Sequence, residues 1–206
     1  MSDTEQTPVI QTWAEANGFE SSDVDIAGVT PLLRLGMMDV TADAFRGDVG
    51  DHRAVLAEFS IGTPSISEGF GGSGVTGTLF TVFLLEFDAA RWRRLTVHPR
   101  DFGNDRNWSG RLLHRDREVE GIGNEFDERY RVIASTAISD EHLHQVFSQE
   151  FVSWYLAQGE LVADIEDHGD DGGYLLVGRE GVNLEAAELD RLRGQAEHVA
   201  RHVAGL

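Results

Sequence analysis

The chain has 206 residues, 41% hydrophobic and 26% charged, which are the proportions of a folded protein with a substantial core and a length that favours one domain. Its 36 acidic residues face 17 basic ones, all arginine, and the net charge of -19 repels phosphate backbones and anionic lipid headgroups. Nucleic acid is therefore not an expected partner, since the one basic run, Arg91, Arg93 and Arg94, is small against the total, and the absence of cysteine excludes disulfides, thiolate metal sites and cysteine nucleophiles.

The first residues, MSDTEQTPV, carry acids in place of a basic leader, and no apolar run is long enough to span a bilayer. Direct membrane insertion is not expected, and a cytoplasmic location is the default. In chain order, Pro8 to Asn17 predicts a short helix with Ile10, Trp13 and Ala14 on one face, stopped at Gly18. Pro31 to Leu35 predicts a helical turn, so residues 8–36 read as a short N-terminal helical region.

From Met38 the apolar period shortens to two. In HRAVLAEFSI, Val55, Ala57, Phe59 and Ile61 fall on one face and Ala54, Leu56, Glu58 and Ser60 on the other. TLFTVFLLEF is apolar on both faces and predicts a strand inside a sheet. A hairpin that sets Ile61 beside Thr78 brings Glu86 opposite Arg53 as a cross-strand ion pair. The intervening loop contains Gly69, Gly71 and Gly74 in a GxGxxG spacing, but a strand follows where the dinucleotide fingerprint needs a helix, so no cofactor role is expected. Ser73 lies between Gly71 and Val75 and does not form a GxSxG nucleophile elbow.

RWRRLTVHP predicts another strand, followed by a loop rich in Asn, Asp and Gly around Trp108. Glu128 to Ser135 alternates as a strand. Ser139 then caps a predicted helix over 139–158, with Asp140 and Glu141 in its first turn and an aromatic-rich stripe of Leu143, Val146, Phe147, Phe151, Trp154 and Tyr155. ELVADIED and YLLVGREG predict a hairpin, and Asn183 caps a C-terminal helix over 183–204 with Leu184, Leu189, Leu192, Ala196, Val199 and Val203 on one side. The expected fold is α+β, a single domain over 1–206 in which a mainly antiparallel sheet packs on the central aromatic-rich helix and the C-terminal helix.

Glu118, Val119 and Glu120, followed by Asn124, Glu125, Phe126 and the strand Tyr130, Arg131, Val132, give the stretch over residues 49–181 its character. In order and pattern it resembles an uncharacterised family of bacterial and archaeal domains of unknown function, many of which carry membrane helices ahead of the soluble part. The resemblance implies a fold and no chemistry, and such spans are absent from this sequence.

Four constellations are candidate sites. His142 and His144, two apart, fall on different faces of a helix and make poor joint ligands. His198 and His202, four apart beside Glu197, have the zinc-helix spacing without the HExxH glutamate, and an ordinary helix face is expected. Asp164, Glu166, Asp167, Asp170 and Asp171 lack the twelfth-position glutamate of a calcium loop. Glu58 and Glu86 would serve as an acid and base only by converging in one pocket. No catalytic, cofactor-binding or metal residue is assigned. The reading is a non-catalytic interaction or regulatory module with a protein partner, the alternative being a metal-assisted or carboxylate acid/base hydrolase. An active surface is expected in the loop at 62–77 or around Trp108.

Overall fold

The computed structural model describes residues 9–23, 44–64, 75–89, 92–100, 116–167, 172–181 and 184–206. These form α1 (Val9–Ala16), β1 (Glu20–Ser22), β2 (Ala44–Val49), β3 (His52–Pro64), β4 (Val75–Phe87), β5 (Arg94–Pro99), β6 (Asp116–Val119), α2 (Asn124–Arg129), β7 (Tyr130–Ser135), α3 (Asp140–Val146), α4 (Gln149–Ala157), β8 (Leu161–Asp167), β9 (Gly173–Glu180) and α5 (Ala186–Ala204). The strands make one nine-stranded sheet in the order β1-β2-β3-β4-β9-β8-β5-β7-β6. Every pairing is antiparallel, and the fold is α+β. No helix among the described residues is long and apolar enough to cross a membrane.

Local chemistry sets the register. Val49 pairs with His52 around a two-residue turn in which Gly50 takes a φ of 58°, the glycine-first geometry that matches strand twist. Ile61 faces Thr78, as the alternating pattern predicts, and β4 is paired on both sides, with β3 and β9. Directly opposite residues share a face, so the register divides the sheet cleanly. Phe45, Leu56, Phe83, Leu85, Leu175, Val177, Ile165, Leu95, Val97, Val132 and Ala134 lie on one side, in a single buried cluster with Ile10 and Trp13 of α1, Phe151 and Tyr155 of α4, and Leu192 and Val199 of α5. All the helices that contribute to this cluster pack on that face. The other face has its own buried residues, among them Val55, Val82, Leu84, Val162, Leu176 and Ile133, with Thr96, His98 and Asp164 between them.

Four boundaries differ from expectation. The strand expected from Glu128 begins at Tyr130, and NEFDER before it is the helical turn α2, whose one apolar residue, Phe126, is buried. Phe126 packs its ring 5.1 Å from Tyr130 and 5.8 Å from both Phe147 and Tyr155. The helix expected over 139–158 is two helices, α3 and α4. Phe147 leaves helical geometry, and Ser148 starts the second helix as an N-cap, its hydroxyl accepting from the Phe151 N–H at 3.3 Å.

The C-terminal helix is capped by Glu185, in a reciprocal box with Glu188, in place of Asn183, which lies outside the described residues. Leu184 and Leu189 then occupy the staple positions on either side of that cap, and both are buried. The strand expected from Arg91 starts at Arg94, after a turn in which Trp92 is buried and Arg93 has a φ of 55°. The expected turn at Pro31 to Leu35 lies outside the described residues.

Candidate functional site

The sequence gives β6 only four residues, DREV, and topology places them at the end of the sheet. Their alternation points two ways. Asp116 and Glu118 face away from the helices, where Asp116 pairs with Arg94 at 2.7 Å and Glu118 with Arg131 at 3.1 Å and Arg100 at 3.5 Å. The Arg94–Asp116 pair has side chains only 11% and 5% exposed and ties β6 to β5 across β7. Arg117 and Val119 face the helical side.

Beyond Val119 the chain turns sharply. Gly121 has a φ of 83°, and the Asp127 carboxylate accepts from the N–H groups of Gly121 at 3.0 Å and Gly123 at 3.3 Å. That clamp fixes Ile122 beside the strand. On the far side, Ser139 caps α3 by accepting from the His142 N–H at 3.2 Å. Arg117 donates to the Ile138 carbonyl at 3.1 Å and pairs with Asp140 at 2.5 Å. Strand and helix are thereby held apart at a fixed spacing.

Between them runs a groove of about 350 Å³. Val119 and Ile122 line it from the strand side, Leu143 and Phe147 from α3, with Arg117, Glu118, Glu120, Asp140 and His144 at its margins. Among the described residues β6 has one strand neighbour, β7, so the backbone N–H and C=O groups along its outer side face the groove's open edge. An extended chain laid there gains ladder hydrogen bonds from β6 and places alternate side chains on the apolar floor, which is the chemistry of strand addition.

The residues weighed from sequence end up elsewhere. Glu58 faces Thr81, whose hydroxyl donates to it at 3.4 Å, whereas Glu86 continues the Leu84 and Val82 side of β4. The two carboxylates are therefore on opposite faces of the sheet and do not form an acid/base pair. The register sets Arg53 across from Glu86 in a small cleft with Arg46 and Tyr174, but no ion pair joins the two among the described residues.

His198 stacks on Trp154 at 3.9 Å and His202 on Phe151 at 4.0 Å, with His202 Nε2 2.7 Å from the Val146 carbonyl. The imidazoles are packing surfaces between α5 and α4. Burial, followed by the nearby His202 and Arg201, holds the His198 pKa below its ordinary value.

His142 packs edge-on against Trp92, and His144 Nδ1 donates to the Asp140 carbonyl, 2.7 Å away. In the acidic turn, Asp164 is buried and accepts from Thr96 at 2.6 Å, and neighbouring strand positions send Glu166 and Asp167 to opposite faces. Asp170 and Asp171 lie outside the described residues. Among the described residues no three His, Asp or Glu side chains are arranged to hold a metal ion.

Burial raises the pKa of the Tyr130 and Tyr155 phenols. Their hydroxyls donate to the carbonyls of Gly159 and Leu161, so both are structural. The surfaces expected at the glycine-rich loop and around Trp108 fall largely outside the described residues, though β4 begins at Val75, directly after Gly74, as a strand. The groove was missed because its two walls are set side by side by the β5-β7-β6 order, which no local period encodes. Its only sequence signal was the short charged strand itself.

No protein-family model matches the chain, and neither a curated protein nor a solved structure shows significant similarity to it.

Proposed function

We propose that this chain is a cytoplasmic, non-catalytic interaction module that captures an extended segment of a partner protein by strand addition at β6. The outer edge of β6, which has no strand neighbour among the described residues, together with the apolar groove beside it, is the observation that carries this reading. A four-residue edge offers few ladder bonds and the groove holds two or three side chains, which places the interaction in the weak, transient class. The resembled family, many of whose members carry membrane helices, suggests partners in membrane complexes, an idea that rests on that resemblance alone.

Backbone amide exchange tests the reading. A panel of capped hexapeptides with apolar residues at alternate positions should slow exchange at residues 117–120 when they bind, and Ile122→Arg should abolish the effect. Binding that leaves those amides unchanged, or that survives Ile122→Arg, would overturn it.

A further inference from the structure

We infer that the segment taken up at β6 is cationic, with basic side chains alternating with the apolar ones; this rests on the strand-addition reading above. The strand margin of the groove carries Glu118 and Glu120, and the first turn of α3 carries Asp140 and Glu141. Against them the groove lining contributes, among the described residues, one permanent cation, Arg117, whose guanidinium is already held by Asp140 and the Ile138 carbonyl. Glu118 is answered by Arg100 and Arg131 on the far face. Glu120 is exposed and has no ion-pair partner among the described residues.

An extended peptide explains why the charges sit where they do. When strand addition sends alternate side chains down to Val119, Ile122, Leu143 and Phe147, the intervening ones project outward past the strand and helix margins. Those outward positions fall on the face of the sheet that carries Glu118, beside Glu120 at the strand margin.

The whole chain adds a field of the same sign, with a net charge of -19, which speeds encounter with a cation and repels acidic segments. The same field works against a second copy of this chain as the occupant, since that would bring two strongly acidic bodies together. Phosphate-bearing ligands are disfavoured on the same ground.

Three capped hexapeptides sharing Val, Leu and Val at alternate positions, with Lys, Ser or Glu in the remaining ones, separate the two readings. Titrated into the full chain at low salt, the Lys peptide should bind about tenfold more tightly than the Ser peptide, as two or three exposed ion pairs would give. That advantage should shrink to roughly threefold or less at about 0.3 M salt, where the Debye length is short. Glu120→Gln should reduce the Lys peptide's affinity by about threefold and leave the Ser peptide's unchanged.

Equal affinity of the Lys and Ser peptides, both slowing exchange at β6, would overturn the cationic inference and leave the groove reading standing. Tighter binding of the Lys peptide without slowed exchange at residues 117–120 would place the charge effect elsewhere on the surface and overturn the inference as well. If none of the three slows exchange at β6, the groove reading and this inference both fall.

Discussion

Truncation of Phe126 to alanine is the most demanding test of how the groove is supported. The ring is 1% exposed, and it touches three other aromatic rings from three different elements: Tyr130 of β7, Phe147 at the end of α3 and Tyr155 of α4. Burying a phenylalanine removes about 150 Å² or more from water, worth roughly 4 kcal/mol at 25 cal/mol per Å², and each ring pair adds a further ~0.5 kcal/mol or more. Rigid neighbours on all sides leave a cavity that collapses poorly, so the cost belongs in the upper part of the ~3–5 kcal/mol range for such truncations.

For a chain of this size that loss corresponds to a fall in Tm of roughly 8–16 °C. Urea unfolding, with the midpoint read at unchanged m-value, measures it directly. Phe126→Leu supplies the control, because it keeps most of the volume and should lose less than half as much. A loss under about 2 kcal/mol for Phe126→Ala would show that α2 does not bind the edge of the sheet to the helices as described.

Thr96→Val keeps the shape of the side chain and removes the hydroxyl that donates to buried Asp164, and should cost about 2 kcal/mol in urea unfolding; a change below ~0.5 kcal/mol would refute the importance of that bond. Asp116→Asn breaks the mostly buried pair with Arg94 and should lower stability by about 3 kcal/mol while raising amide exchange in β6 selectively. Gly47→Ala would set a Cβ 2.6–2.8 Å from the ring of buried Phe19, so a loss of about 1–3 kcal/mol in thermal or urea unfolding is expected, and a neutral result would mean the ring moves freely. His198 has a lowered folded pKa, so the unfolded chain binds the proton more readily; its contribution is present above the unfolded value of 6.5 and is lost as pH falls below it. A urea-midpoint series from pH 8 to pH 5 should show that decline, and His198→Asn should flatten it.

Much of the fold was legible because neighbouring residues specify it. The alternation in HRAVLAEFSI and TLFTVFLLEF fixed both the faces and the Ile61–Thr78 register, and Ser139 marked the start of α3 through an N-cap that the structure shows. The misses have physical causes. Phe147 and Phe151 keep the four-residue spacing of a continuous stripe, so the periodicity ran straight through the break at Ser148. NEFDER has one apolar residue, too few for a helical period, and its helix depends on Phe126 finding the rings of Phe147 and Tyr155, both distant in the chain.

Arg94, Thr96 and His98 are alternate polar residues of one strand, yet Thr96 and His98 are fully buried on the second face of the sheet. Only the pairing of β5 with β8, more than sixty residues apart, brings Asp164 beside Thr96. The groove was hidden for the same reason: its walls are local, but their meeting is not.

The strand order also determines when the molecule can form. β4 is apolar on both faces, and its second neighbour, β9, comes from near the end of the chain, with the Thr81 hydroxyl reaching the Gly181 carbonyl a hundred residues on. During synthesis β4 therefore emerges with β3 on one side and an unpaired edge on the other, and that edge stays open until β9 has left the ribosome. Closing so long a loop makes folding slow and keeps the most aggregation-prone segment waiting longest. In the interval, a net charge of -19 holds nascent chains apart, so the acidity protects β4 before the fold exists.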